Sequence, residues 1–225
     1  MQDCKERCLM MKFITILSLA VVALAGIQTA NAATFDFIDE AIGNEGSYSP
    51  LTMVEVGITL NATGQYTSDG GTSWINKYAY LDDHWSGHGD AGLGVCQTNT
   101  NSCGSDDNVT YGEKLRLDFG QQVTVSEITM ANGVHEALFT GDFKLNIDGA
   151  GWVAYNLADT ITQLFTGQVF ELWNHNNIND SADAKKEFYI STMTVSAVPI
   201  PAAIWLFGSA MLGFVGIRRN NKKSA

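Results

Sequence analysis

Basic residues are scarce in this chain, with 13 Lys plus Arg against 24 Asp plus Glu in 225 residues. The scarcity deepens in the middle: residues 33–197 hold 6 of the cations and 22 of the acids, a net charge of −16. Phosphate recognition needs clustered cations, so nucleic acid and anionic membrane surfaces are excluded as partners of this segment. Catalytic signatures are missing as well. No serine elbow, phosphate-binding loop, zinc-binding helix motif or dinucleotide fingerprint occurs. Helical periodicity is equally thin, holding for no more than two turns except weakly around residues 158–165.

Strand patterning fills the gap. Apolar residues alternate with polar ones at Leu115, Leu117 and Phe119, at Val123 and Val125, at Phe143, Leu145 and Ile147, and at Phe170 and Leu172. A period of two gives each strand one buried and one wet face, the signature of antiparallel sheets. Further strands are expected over 34–38, 53–60, 73–81, 152–156 and 187–196. Turn residues punctuate these runs at Asp69-Gly70-Gly71, Asn132-Gly133, Thr140-Gly141-Asp142 and Asp148-Gly149-Ala150-Gly151. The apolar series slips from odd to even positions between Val125 and Ile128, which predicts a bulge at Ser126-Glu127. A second slip separates Phe188 and Ile190 from Met193 and Val195. The expected fold is all-β: eight to ten strands in an antiparallel two-sheet β-sandwich, jelly-roll-like, with an N-terminal signal helix and a C-terminal transmembrane helix.

The two ends read as targeting segments. Met11-Lys12 is a second plausible start, residues 13–27 supply an apolar core, and Ala30-Asn31-Ala32 offers small residues at the cleavage positions. A signal peptidase would cut between Ala32 and Ala33, so residues 1–32 form a signal peptide with an N-terminal extension. At the other end, Val198, Pro199, Ile200, Pro201 and Ala202 precede an apolar run through Ile217, followed by Arg218, Arg219, Lys222 and Lys223. Cations flanking such a run stay on the cytoplasmic side. A permanent C-terminal membrane anchor is the plainer reading of the same residues. The tail resembles the PEP-CTERM class of bacterial sorting signals in its VPLPA-type variant, with Ile200 in place of the usual leucine. That resemblance implies processing by an exosortase-like protease near the motif. It assigns residues 198–225 to a sorting tail and 33–197 to one exported domain.

Export bears on the cysteines. Cys4 and Cys8 precede the presumed cleavage site, leaving Cys96 and Cys103 in the mature chain. Thiols outside the cytosol oxidise, so a local disulfide is expected there. Around them, Gly89 to Leu115 resembles a segment that recurs in exported VPLPA-type proteins, with a Gly-Leu-Gly-Val-Cys element, an Asp-Asp-Asn loop and a Gly-Glu-x-Leu strand start. The likeness implies a fold and a location, and no catalytic residue.

Three constellations are candidate sites. Asp106, Asp107 and Asn108, with Asp90 and Glu113, carry enough oxygen for calcium, although Asp and Asn also cap turns without an ion. Asp82-Asp83-His84-Trp85 and Gly87-His88-Gly89-Asp90 place acids beside imidazole and indole, a composition open to glycoside hydrolysis; a solvated loop explains them equally well. Trp74, Trp85, Trp152 and Trp173 suit stacking on sugar if exposed and the core if buried. The expectation is a non-enzymatic cell-surface or extracellular-matrix (biofilm) protein, passing through the inner membrane and contacting exopolysaccharide. A secreted polysaccharide hydrolase and a calcium-dependent adhesin are the alternatives.

Overall fold

The computed structural model describes residues 31–83, 89, 91–104, 107–175 and 184–199. Residues 31–198 form one compact unit. The expected signal helix, transmembrane helix, Ile200, Pro201, Ala202, Arg218 and Arg219 lie outside the described residues. Among the described residues, no helix is long and apolar enough to cross a membrane.

The fold is all-β. Twelve strands form one antiparallel network: β1 (Ala32–Asp36), β2 (Gly46–Tyr48), β3 (Leu51–Glu55), β4 (Ile58–Tyr66), β5 (Ile75–Asp82), β6 (Gly92–Cys96), β7 (Glu113–Ala131), β8 (Asp142–Ile147), β9 (Trp152–Asn156), β10 (Thr160–Ile161), β11 (Phe165–Trp173) and β12 (Tyr189–Ala197). One single-turn helix, α1 (Phe37–Ala41), follows β1, its first turn capped by the Asp36 carboxylate accepting from Asp39 N. The expected cleavage point between Ala32 and Ala33 falls at the start of β1, where Ala33 pairs with Val195. Val198 lies just past β12 and its amide donates to Gln122 O.

Strand β7 organises the molecule because it is long enough to serve two neighbourhoods. Its first half pairs with β4, its second half with β12, and β11 runs along its other edge through both halves. Since β4 pairs β5, β5 pairs β6 and β6 pairs β12, the hydrogen-bonded order returns to β7. The sheet therefore closes in a barrel-like ring, and strands β11, β8 and β9 extend from it as a flap of sheet. Leu60, Leu93, Leu115, Leu117, Phe143 and Phe170 fill the inside without measurable exposure beyond 2%. Phe119 meets Phe35 and Phe170 edge-on, with ring centroids 5.8 and 5.9 Å away.

Both parity slips are bulges. Thr194 pairs with Glu127 while Val195 pairs with Val125, leaving Ser126 as the extra residue; Ile190 and Thr192 pair with Met130 and Thr129, leaving Ser191. Each bulge returns apolar residues to the inside after one slip in sequence.

Elsewhere the structure departs from the pattern. The run 53–60 is a hairpin instead of one strand, because Val56 and Gly57 take left-handed φ of 50° and 78° and reverse the chain. Valine rarely adopts that conformation, so composition gave no warning. Residues 158–165 hold the two-residue strand β10 and no helix, because Thr160 and Ile161 pair with Thr129 and Ile128.

Candidate functional site

Alternation puts Leu115 and Leu117 inside, so Lys114, Arg116 and Asp118 of β7 point outward. The same parity applies across the sheet. Register pairs Lys114 with Trp173, Arg116 with Glu171, Glu171 with Asn146, and Asn146 with Trp152. An outward-facing band of cations, carboxylates, amides and indoles thus crosses β7, β11, β8 and β9. None of the three described tryptophans belongs to the hydrophobic core. Instead they pack on one another: Trp173 lies 5.5 Å from Trp74 and 5.3 Å from Trp152, with Trp74 and Trp152 6.3 Å apart. Trp173 is the buried member, while Trp74 and Trp152 are half-buried and meet solvent. Trp85 lies outside the described residues.

Lys114 holds the band together. Its ammonium stands 4.0 Å from the Trp74 ring centroid, 5.4 Å from that of Trp152, and 2.6 Å from Glu171 Oε1. Burial pulls its pKa down, and Glu171 opposes that pull. Asn146 Nδ2 donates to the other oxygen of Glu171. Both carboxylate oxygens are therefore engaged, and the side chain is fixed. Lys144 lies over Trp173 at 4.9 Å. Such cation contacts fix the indole planes. The indole N–H of Trp173 is buried and has no acceptor among the described residues.

Beside the aromatics is a shallow, wide-open cleft of about 600 Å³ bordered by Arg116, Gln122, Asp148, Gln168 and Glu171. Beside it β11 and β7 fall out of register: Gly167 pairs with Val123 and Val169 with Asp118, so residues 119–122 of β7 bulge opposite the single Gln168 of β11. Asp148 supports that bulge: its carboxylate accepts from Gln168 N at 2.9 Å, from Val169 N at 2.8 Å and from Gln122 Nε2 at 3.2 Å. Slight burial raises its pKa, yet these donors outweigh it and hold the carboxyl below its ordinary value. Asp148 itself has φ 52° and leads Gly149 at 76°, the tight turn that joins β8 to β9. Glu171 borders both the cleft and the tryptophan cluster, so the two are continuous.

A second polar group lies at the opposite end of the ring. His84 and His88 lie outside the described residues; Asp82 Oδ2 stands 3.0 Å from His135 Nε2, close but off the line of an aligned hydrogen bond. His135 Nδ1 contacts Gly89 O at 2.7 Å, and since a carbonyl only accepts, Nδ1 carries a proton. Burial disfavours the charged ring, but Asp82, the Gly89 carbonyl and Asp107 outweigh it and raise the pKa. Tyr189 stacks edge-on against His135 and donates to Asp107 Oδ1 at 2.5 Å. Burial first, then the Asp82 charge, pushes Asp107 up to about 6 against the Tyr189 bond that lowers it. Tyr189 is 1% exposed and the His135 side chain 5%. The group ties β5, β12 and two loops together from inside.

The calcium candidates point to different partners. Asp107 bonds Tyr189, Asn108 Nδ2 donates to Glu187 Oε2, and Glu113 accepts from Gln97 Nε2 and Thr110 N. Asp90 and Asp106 lie outside the described residues. Among the described residues, no group of three or more His, Cys, Asp or Glu side chains is placed to hold a metal ion. Cys96 and Cys103 form a disulfide, with Cα atoms 6.0 Å apart. It pins the loop over Tyr80, whose hydroxyl accepts from Cys103 N and donates to Glu45. The Gly-Leu-Gly-Val-Cys element is β6, all five residues buried; a Cβ on Gly94 would collide with Asp107 O.

His135 escaped the sequence reading because nothing local marks its meeting with Asp82. The tryptophan cluster did leave a signal: Trp173 shares the parity of Glu171 and opposes that of Phe170 and Leu172. No family model matches the chain, and neither a curated protein nor a solved structure matches it.

Proposed function

We propose that this is a non-enzymatic, exported surface or matrix protein that contacts exopolysaccharide through the outer face of β7, β11, β8 and β9. One observation carries the reading: Trp74, Trp152 and Trp173 are gathered outside the core, around a buried ion pair and beside a polar cleft. Indole faces suit the apolar faces of sugar rings, and the neighbouring amides and charges suit their hydroxyls. Export is supported by the oxidised Cys96–Cys103 pair and by the leader and tail of the sequence. Signal peptidase and an exosortase-like protease are the partners this reading requires, with the membrane engaged in transit through the C-terminal helix. On this proposal the closed ring is a jelly-roll-like sandwich, its opposite walls packed on one hydrophobic core. Calcium is not needed for this contact.

The binding reading is favoured over hydrolysis by the state of the cleft carboxylates. A general acid needs a raised pKa, so that it holds a proton to donate. Asp148 is held low by three donors, and Glu171 is committed to Lys114 and Asn146. Asp107 has the raised pKa, but it lies away from the cleft and already accepts from Tyr189.

Mass spectrometry of the protein from cells with and without the processing protease tests the sorting half. Loss of Arg218-Arg219 only when the protease is present is expected; intact Arg218-Arg219 in both samples contradicts it. Retention of the protein on matrix polysaccharide from the same cells tests the binding half.

A further inference from the structure

We infer that the cleft and the tryptophan cluster form one continuous track for an uncharged polysaccharide, laid along β7 and β11. This rests on the reading of the outer face as a glycan contact and names the ligand class. Two steps along a strand advance the chain about 7 Å. Arg116 and Glu171 at the cleft are followed at that interval by Lys114 and Trp173 at the cluster. Glu171 belongs to both, so a linear polymer crosses from cleft to aromatics over Lys114.

The cleft offers what hydroxyls require. Arg116 Nη2 donates to Asp118 Oδ2, and the rest of its five-donor fork has no partner among the described residues. The Gln168 side chain likewise has none, and an amide both donates and accepts, as a hydroxyl does. Asp148 and Glu171 are fixed acceptors with lone pairs to spare.

Charge decides between neutral and acidic glycans. Around Arg116 stand Asp118, Asp148 and Glu171, and the Lys114 charge is matched by Glu171. The track therefore carries no excess of cations. With a net charge of −16 on residues 33–197, a polyuronate or sulfated chain is repelled before it docks.

The test is affinity electrophoresis and calorimetry of the full chain with dextran and galactomannan as neutral probes, and polygalacturonate and heparin as acidic ones. Binding to a neutral probe is expected, changing less than about twofold between roughly 20 and 500 mM salt. Trp152→Ala and Arg116→Gln are each expected to weaken it by about tenfold, with Gln168→Leu as the milder variant should either fail to fold. Preference for polygalacturonate or heparin with steep salt dependence overturns the inference and leaves the glycan contact standing. Binding to none of the four, nor to the cells' own matrix polysaccharide, overturns both. Neutral-glycan binding untouched in folded variants overturns the placement of the track.

Discussion

The ammonium of Lys114 lies 4.0 Å over the ring of Trp74, with its side chain only 4% exposed. A lysine so placed faces outward by strand parity yet is covered, because the indoles close over it. Its charge is matched by Glu171 at 2.6 Å, and that pair anchors both the aromatic cluster and the wall of the cleft.

Breaking the pair should therefore cost more than a surface ion pair does. Lys114→Met leaves Glu171 partly buried without its cation, and a loss of about 3 kcal/mol is expected from urea denaturation. Lys114→Met with Glu171→Gln should recover at least half of that. Equal losses in the single and double variants would show that the pair does not hold the face together.

The disulfide should stabilise chiefly by closing a short loop in the unfolded chain. Replacing Cys96 and Cys103 with serine is expected to lower stability by on the order of 2 to 3 kcal/mol. Denaturation of the variant beside the oxidised protein reads this directly, and an unchanged midpoint would contradict it.

Stability should fall as pH rises through the range of the buried polar group. The folded state raises Asp107 from 3.8 to about 6, so between those values it holds a proton that the unfolded chain has released. Its contribution is complete below pH 3.8 and lost as pH passes about 6. His135 acts in the same direction, since its raised pKa gives stability that is present below its unfolded pKa and lost as pH climbs through its folded one. Asp107→Asn should remove the acidic part of this slope, worth on the order of 2 to 3 kcal/mol. A variant whose melting temperature follows the wild-type pH profile would refute the assignment.

Gly94 should tolerate no side chain. A Cβ there would lie 1.9 Å from Asp107 O and 2.8 Å from Asn108 Cα, both backbone atoms that cannot move aside cheaply. Gly94→Ala is expected to cost about 1 to 3 kcal/mol. Gly120→Ala, with φ 64° and open space around the position, separates conformational strain from collision.

Much of the sheet was legible because strand parity is a local property. Val123 and Val125 on one side of Ser126, and Ile128 and Met130 on the other, announce the bulge in the sequence itself. Asp148-Gly149 announces the turn between β8 and β9 in the same way. What parity cannot say is which face meets water when both carry large side chains. Parity sets Trp173 on the face of Glu171 and opposite Leu172, and the ring closure through β7 then fixes the face of Leu172 as the inner one. The closure joins strands distant in sequence, as does the meeting of Asp82 with His135, and neither has a local signature. Val56 at positive φ is illegible for the opposite reason, since its conformation is imposed by the pairing of β3 with β4 against its own preference.

Hydrogen exchange of the full chain with and without polysaccharide extracted from the matrix of the producing cells tests the central claim most directly. The outer face should gain protection around residues 114–118, 144–156 and 168–173, with β6 and β12 unchanged. Protection confined to other strands, or none at saturating polysaccharide, would contradict the assignment of this face.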